Sequence, residues 1–370
     1  MIYAVPRITK TLRGQLNELD GLRDALGDRV KTPARWMGSL RREVRAASIE
    51  GSTSIEGFSV SPAEALALTS GGEPAAGQDD ENRYAVSCYA RAMDHVGTMA
   101  IDPVFGWSDR VILDLHFDAC YFQRDRNPGL WRTGPIRVPA SDGTSAYVGP
   151  DGDDVVGLMD EVVESLVEGE RHVDDHLVVR AAMAHLNVVS VHPFEDGNGR
   201  ISRIVQSLVL AREGLASPEF FSIEEYLGSH TREYHAALRE AQGGSYQPDR
   251  DASGWVAFCV EAHIAQARER LAQIERAAVR WGLLEEQVAQ RGWPERLVIA
   301  LEQSLAGGTS RAAYCDEADV SAATASGDFR RLSDAGLVVQ RGRGRNITYV
   351  AADELRARIG PSASAGDSGA

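Results

Sequence analysis

Apolar residues recur at three- and four-residue intervals through the first part of the chain. Leu12, Leu16, Leu19, Leu22 and Leu26 fall on one helical face, and the pattern predicts helix from Thr9 to about Leu68. Residues 70–81, SGGEPAAGQDDE, interrupt it with a polar loop rich in Gly and Pro. The helical period resumes from Asn82 to about Arg276, with one exception between Pro128 and Asp154. There Gly134–Val138 and Ser145–Val148 read as two extended runs joined by an Asp-Gly turn, which predicts a β-hairpin. A long amphipathic helix over about Trp255–Arg280 leads to a third part, Gly292–Tyr349. That part is predicted to hold a helix, a second over Ala312–Glu317, a third over Ser321–Ala335, and two β-rich runs in LVVQRGRGRNITYV. Residues 361–370 are small and polar and read as a disordered tail. The expected fold class is mainly α, divided into 1–81, 82–276, 277–360 and 361–370.

Composition narrows the setting. Hydrophobic residues make up 43% and charged residues 25% of 370, the texture of a soluble globular protein. The balance of 39 basic against 54 acidic residues gives −15, which argues against broad binding to nucleic acid or anionic membranes but leaves room for one basic module. Cys88, Cys120, Cys259 and Cys315 form no CxxC pair, so neither a disulfide framework nor a zinc site is expected. No apolar run nears the roughly 18 residues of a membrane span. The start, MIYAVPRITK, lacks the apolar region of a signal peptide, and the expected location is cytoplasmic.

The candidate chemistry is concentrated in HLNVVSVHPFEDGNGRISRIVQSLVL, residues 185–210. An apolar helix ends near Val191, and a Gly-Asn-Gly turn feeds a second from about Arg200. Backbone amides at the start of a helix lack intrahelical acceptors and carry partial positive charge, so this turn forms an anion site without a side chain. Gly197 and Gly199 let the main chain approach a phosphate closely. Arg200 and Arg203 stand one turn apart, Asp196 is a hard oxygen ligand suited to Mg²⁺, and His192 is a base near neutral pH. Together they supply the parts needed to move a phosphoryl-type group.

This segment resembles the Fic family signature, HPFx(D/E)GNGRxxR, and matches it at every defined position. The run PGLWRTGPIRV with its hairpin resembles the family's flap, which clamps a target backbone by strand addition, and TREYHAALREAQ resembles the part that contacts adenosine. The likeness extends over roughly residues 40–280 and implies a helical Fic core with a β-hairpin flap. It implies that His192 deprotonates a Ser, Thr or Tyr hydroxyl on a target protein and that Asp196 holds Mg²⁺ or Mn²⁺. Gly197, Asn198 and Gly199 would form the anion hole, Arg200 and Arg203 would bind the β- and γ-phosphates, and Phe194 would pack the loop into the core. Tyr234 and Gln242 would lie on the nucleoside side, with Val138, Pro139 and Ala140 in the flap. The implied reaction transfers AMP from ATP to the target with release of pyrophosphate.

STSIEG, residues 52–57, fits the family's (S/T)xxxE(G/N) inhibitory pattern through Ser52, Glu56 and Gly57. The resemblance implies that Glu56 pairs with Arg203 and removes the arginine meant for the γ-phosphate; in some relatives the same glutamate aligns a water that removes AMP. Homodimers are also common in the family. The segment VSAATASGDFRRLSDAGLVVQRGRGRNITYV resembles a winged helix-turn-helix. Over 321–350, Arg330, Arg331, Arg341, Arg343 and Arg345 outnumber two aspartates, a locally basic patch suited to DNA phosphates. Two further readings stand beside a self-inhibited adenylyltransferase: a winged-helix regulator whose Fic core senses nucleotide, and a Doc-like kinase or other nucleotide or phosphocholine transferase. Doc-like proteins depart from GNGR where this chain keeps it.

Overall fold

Leu12, Leu16, Leu19 and Leu26 are buried along one stripe of α1 (Lys10–Lys31), and Val30 extends the stripe by a turn. The computed structural model of the chain describes residues 1–69, 81–139, 145–171, 175–212, 218–342 and 347–359. Most of the expected loop at 70–81 and the whole tail at 361–370 lie outside the described residues, as does Ala140. The fold is mainly helical, with two antiparallel two-stranded sheets among the described residues.

Two compact units are present, Met1–Lys31 with Val44–Glu269, and Thr32–Glu43 with Arg270–Ala370. This partition differs from the division at 81. Leu12, Leu16 and Leu19 of α1 and Ile49 of α2 (Met37–Ile55) lie in the same core as residues far beyond 82, so α1 and the part of α2 from Val44 onward belong to the first unit, while Met37–Glu43 belong to the second.

The first unit continues through α3 (Pro62–Thr69), α4 (Glu81–Ile101) and α5 (Asp109–Cys120) to a hairpin of β1 (Arg137–Pro139) and β2 (Ser145–Val148). After it come α6 (Val155–Arg171), α7 (Leu177–Val191), α8 (Asn198–Ala211), α9 (Glu224–Ser229), α10 (Thr231–Gln242) and α11 (Ser253–Gln290), whose later turns belong to the second unit. Helices α7 and α8 pack on each other at the centre. Every residue of α7 except Arg180 is buried, and every residue of α8 except Gly199. A helix enclosed on all sides is held rigidly by its neighbours, so the turn between these two is fixed at both ends.

The hairpin pairs Arg137 with Val148, Val138 with Tyr147 and Pro139 with Ser145, with an irregularity between Val138 and Pro139. Its first strand starts at Arg137 rather than Gly134, because the Gly134 carbonyl accepts from the Arg132 side chain at 2.6 Å instead of joining the ladder. The expected Asp-Gly turn lies outside the described residues. On its other side β2 meets residues 244–246 through Val148.

In the second unit, α12 (Leu297–Leu305), α13 (Arg311–Ala318) and α14 (Ala322–Asp334) precede β3 (Val338–Arg341), β4 (Thr348–Ala351) and a short α15 (Asp353–Ile359) that the pattern did not predict. Its core gathers Trp281, Leu284, Leu301, Tyr314, Phe329 and Leu332, and Phe329 stacks on Tyr349 at 3.9 Å. Ser310 and Ser321 cap α13 and α14 by accepting from the amides of Ala313 and Thr324.

Candidate active site

His192 caps the C-terminal end of α7 in left-handed backbone, φ 53° and ψ 57°. Its Nδ1–H donates to the Val189 carbonyl at 3.1 Å, which leaves the lone pair on Nε2. Burial, with the Arg132 charge acting in the same sense, pushes the imidazole down to about 4 against the rise from the Val189 bond. The ring is neutral at physiological pH and can accept a proton. Arg132, 3% exposed, fixes the turn from below. It donates to the carbonyls of His192 (2.7 Å), Gly134 (2.6 Å), Pro150 (2.8 Å) and Val191 (3.2 Å).

The turn itself is laced internally. Asn198 Oδ1 accepts from the Phe194 amide and its Nδ2 donates to the Phe194 carbonyl, each at 2.9 Å. The Asn198 side chain therefore shapes the loop, and only its backbone remains for an anion. Phe194 is fully buried and stacks on His116 with ring centroids 3.5 Å apart. His116 accepts from the Gly129 amide at Nδ1 and donates from Nε2 to the Asp196 carbonyl, both at 2.9 Å. Burial pushes it down to about 3, so it stays a neutral spacer. The Gly197 amide is engaged by Asp196 Oδ1 at 2.6 Å, and the first amides of α8 have no intrahelical acceptors.

The two arginines expected to share an anion are placed differently. Arg200 donates to Gln123 Oε1 at 2.7 Å, and its guanidinium carbon lies 5.5 Å from the Phe58 ring centre and 5.3 Å from that of Phe122. Arg203 faces α2. Its Nε donates to Ser52 Oγ at 2.6 Å, and its Nη2 to the Ser52 carbonyl at 3.1 Å and to Glu56 Oε1 at 2.8 Å.

Glu56 is the C-cap of α2. The Phe58 amide bonds back to the Thr53 carbonyl at 3.1 Å and the Gly57 amide to Ser54 at 3.0 Å, with Gly57 at φ 87°. This is a Schellman ending, which needs a glycine in left-handed backbone. A carboxylate there faces the negative end of the helix dipole. Burial also raises the Glu56 pKa, yet the charges of Arg203 and Arg200 and the Arg203 hydrogen bond outweigh burial and hold it below its ordinary value. A Cβ at position 199 would collide with Glu56 Oε1, so the close seat of Glu56 depends on Gly199.

These groups meet at a cavity of about 380 Å³ lined by His192, Gly199, Arg203, Glu56, Tyr234 and Gln242, with Val138, Pro139, Ala146 and Tyr147 from the hairpin. His235, Leu238 and Arg239 also line it and were not anticipated; they share one face of α10 with Tyr234 and Gln242, a helical spacing that could have found them. Tyr234 is held by His185, bonded at 3.0 Å, and Gln242 Nε2 donates to Ser190 Oγ at 3.1 Å. Asp196 and Arg200 do not line this cavity. A larger cavity, about 580 Å³ near Trp107 and Arg212, contains none of the motif residues. The assigned chemistry belongs to the smaller one.

Among the described residues no three His, Cys, Asp or Glu side chains are grouped to hold a metal. Asp196, with a side chain 41% exposed and Oδ1 already engaged, offers Oδ2 as a single protein oxygen. That suits Mg²⁺, which is ordinarily held by one or two carboxylates and its substrate's phosphates.

A buried helix pair thus presents an imidazole, a glycine-rich helix start and an arginine to one cavity beside a hairpin. Residues 107–210 match the family model described as Fic/DOC, and the chain thus carries a Fic domain. Proteins named protein adenylyltransferase Fic are similar to it. That of Aedes aegypti is 25% identical over 237 residues, 63% of this chain and 44% of its own length. That of Drosophila melanogaster is 27% identical over 206 residues, 54% of this chain and 39% of its own. The chain therefore spans less than half the length of these relatives. In fold it is similar to a Fic family protein from Desulfovibrio desulfuricans G20, with TM-score 0.58 and 20% identity over 95% of this chain and 99% of that one. It is likewise similar to Fic-1 of C. elegans, with TM-score 0.54 and 22% identity over 71% and 72%.

Proposed function

We propose that this chain is a self-inhibited protein adenylyltransferase that moves AMP from ATP to a Ser, Thr or Tyr hydroxyl of a target protein. The observation that carries the reading is the shared cavity, where the His192 base, the start of α8 and Arg203 converge while Glu56 occupies that arginine. In the reaction the hydroxyl oxygen bonds to the α-phosphorus, the bond to pyrophosphate breaks, and His192 Nε2 takes the hydroxyl proton. The first amides of α8 stabilise the charge gathering on the phosphate oxygens. Asp196 would hold Mg²⁺ or Mn²⁺, which supplies charge neutralisation to the phosphates when bound. The target backbone would add to the edge strand β1, whose outer side has no partner among the described residues. Glu56 keeps Arg203 from the γ-phosphate.

Labelling with ATP radioactive at the α-phosphate tests this in wild type, Glu56→Gly and His192→Ala. The expected outcome is roughly tenfold or more label on the protein or its targets in Glu56→Gly, and none in His192→Ala, since an arginine returned to a phosphate restores a charge-assisted contact. Equal absence of label in all three with magnesium present would overturn the transfer reading.

The second unit is proposed to bind duplex DNA through α14 and the β3–β4 hairpin. Arg330, Arg331 and Arg341 are exposed there, while Arg343 and Arg345 lie outside the described residues. Binding is expected to weaken steeply with salt, as phosphate contacts do. Absence of binding even at low salt would leave this unit a protein-interaction module.

A further inference from the structure

A separate cavity of about 190 Å³ opens among α2, α4, α8 and the residues leading into α9. Ile49, Met93, Val96 and Leu210 form its apolar wall. Its polar lining sets three carboxylates, Asp94, Glu219 and Glu224, against one guanidinium, Arg45. Arg45 Nη2 is engaged by Asp94 at 2.7 Å and by the Ala90 carbonyl at 3.3 Å, while its buried Nε has no hydrogen-bond partner.

Glu224 sets the chemistry. It is 2% exposed. Its Oε1 accepts from Tyr89 Oη at 2.8 Å and Ser207 Oγ at 3.0 Å, while its buried Oε2 has no hydrogen-bond partner. A carboxylate oxygen left without a donor in the interior is costly, and a donor arriving through the cavity would remove that cost. The volume lies below the usual range for drug-sized ligands, about 300–1,000 Å³, so the occupant is compact.

The cavity also touches the helix that carries Glu56. Arg45, Ile49, Ser52 and Glu56 follow one another at three- and four-residue steps, with Ser48 beside Ile49, so one face of α2 lines the cavity and then meets Arg203. We propose that this cavity is an effector site for a small organic ammonium ion, whose head binds Glu224 and whose apolar body lies against Ile49, Met93, Val96 and Leu210. The occupant stabilises the arrangement in which the cavity exists, the one with Glu56 on Arg203, and so strengthens inhibition. This link rests on the reading of Glu56 as the inhibitory residue.

Calorimetric titration of the full chain with benzylammonium tests it. Burial pushes Glu224 up to about 7, with Tyr89 of α4, Arg203 and Ser207 of α8, and Arg45 and Glu219 around it. The titration is therefore run near pH 8, where the carboxylate is mostly charged. Saturable binding is expected in wild type. It should be weaker by roughly tenfold or more in Glu224→Gln, and for benzyl alcohol in place of the amine, the worth of one charge-assisted hydrogen bond. Gly97→Leu should also weaken it, because Gly97 lines the cavity and a Cβ there has no neighbour within 4 Å; an unchanged Tm checks that this variant is folded. Glu56→Gly should weaken it about threefold, because α2 is seated less of the time. No saturable binding to wild type, or undiminished affinity in Glu224→Gln or Gly97→Leu, overturns the site. Wild-type affinity in Glu56→Gly overturns its link to α2. Heat of binding is measured without nucleotide, so a failed titration and a failed labelling assay are distinct results.

Discussion

At the scale of single residues, His192 occupies backbone that an L-residue enters at a cost of roughly 1–2 kcal/mol, and Arg132 is the group that holds it there. Four carbonyls converge on one planar guanidinium. A lysine carries its charge at one point and cannot span them. Arg132→Lys is expected to lower the rate of label transfer by about tenfold to a hundredfold through misplacement of the base. Nucleotide binding, read as a thermal shift, should persist, because Arg132 does not line the cavity. An unchanged rate would show that the turn holds its shape without the clamp. The run HPFEDGNGRISR was legible because its groups are contiguous. Arg132 and His116 were not, since they act on the turn from 60 and 80 residues upstream and carry no local pattern. Arg200 was read from spacing alone; burial among Phe58, Phe122 and Gln123 decided its direction.

At the scale of elements, the seat of α2 is set by backbone packing as much as by charge. A Cβ at Gly51 would lie 2.8 Å from the Glu224 carbonyl oxygen and 2.8 Å from Glu225 Cα, both main-chain atoms with no side-chain freedom to yield. Gly51→Ala is thus expected to lift α2 despite alanine's better helix propensity, worth up to about 1 kcal/mol. Labelling should rise toward that of Glu56→Gly, and Tm should fall by about 4 °C. A lower Tm with wild-type labelling would show that Glu56 keeps its hold on Arg203 without this contact. The amphipathic period of α1 was enough to predict it, and the alternation of the hairpin enough to find β2. The late start of β1 was hidden because a side chain from outside the strand takes the Gly134 carbonyl. Helix α15 spans only seven residues, too short for a period to emerge.

At the scale of the molecule, buried histidines govern the response to acid. His116, His185 and His263 are pushed down to about 3, and His192 to about 4, chiefly by burial, and all lie in the first unit. Between those values and about 6.5 the unfolded chain binds more protons than the folded one, so stability is lost as pH falls through that window. Glu224 and Glu43, raised to about 7 by burial, act in the opposite sense, as do Glu50 and Asp109, which burial raises. The three imidazoles pushed down to about 3 are the larger shifts. Tm measured by calorimetry is expected to decline between about pH 7 and pH 5, and a flat profile would mean that the histidines gain protons without unfolding. The division into units was the least legible feature. Residues 32–43 join a unit whose other members begin at Arg270, and contacts such as Arg42 with Glu317 at 2.8 Å span 275 residues. Only tertiary packing brings such segments together.

The hold of α2 on Arg203 has a consequence best put as effective concentration. Ser52 and Glu56 bind one guanidinium from a single helix, so the carboxylate is an intramolecular competitor that dilution cannot remove. An external phosphate must outbid that fixed local concentration with its own. Loosening the helix at Gly51 and deleting the carboxylate at Glu56 are then two ways of lowering the same quantity, and the nucleotide concentration for half-maximal labelling places both on one scale.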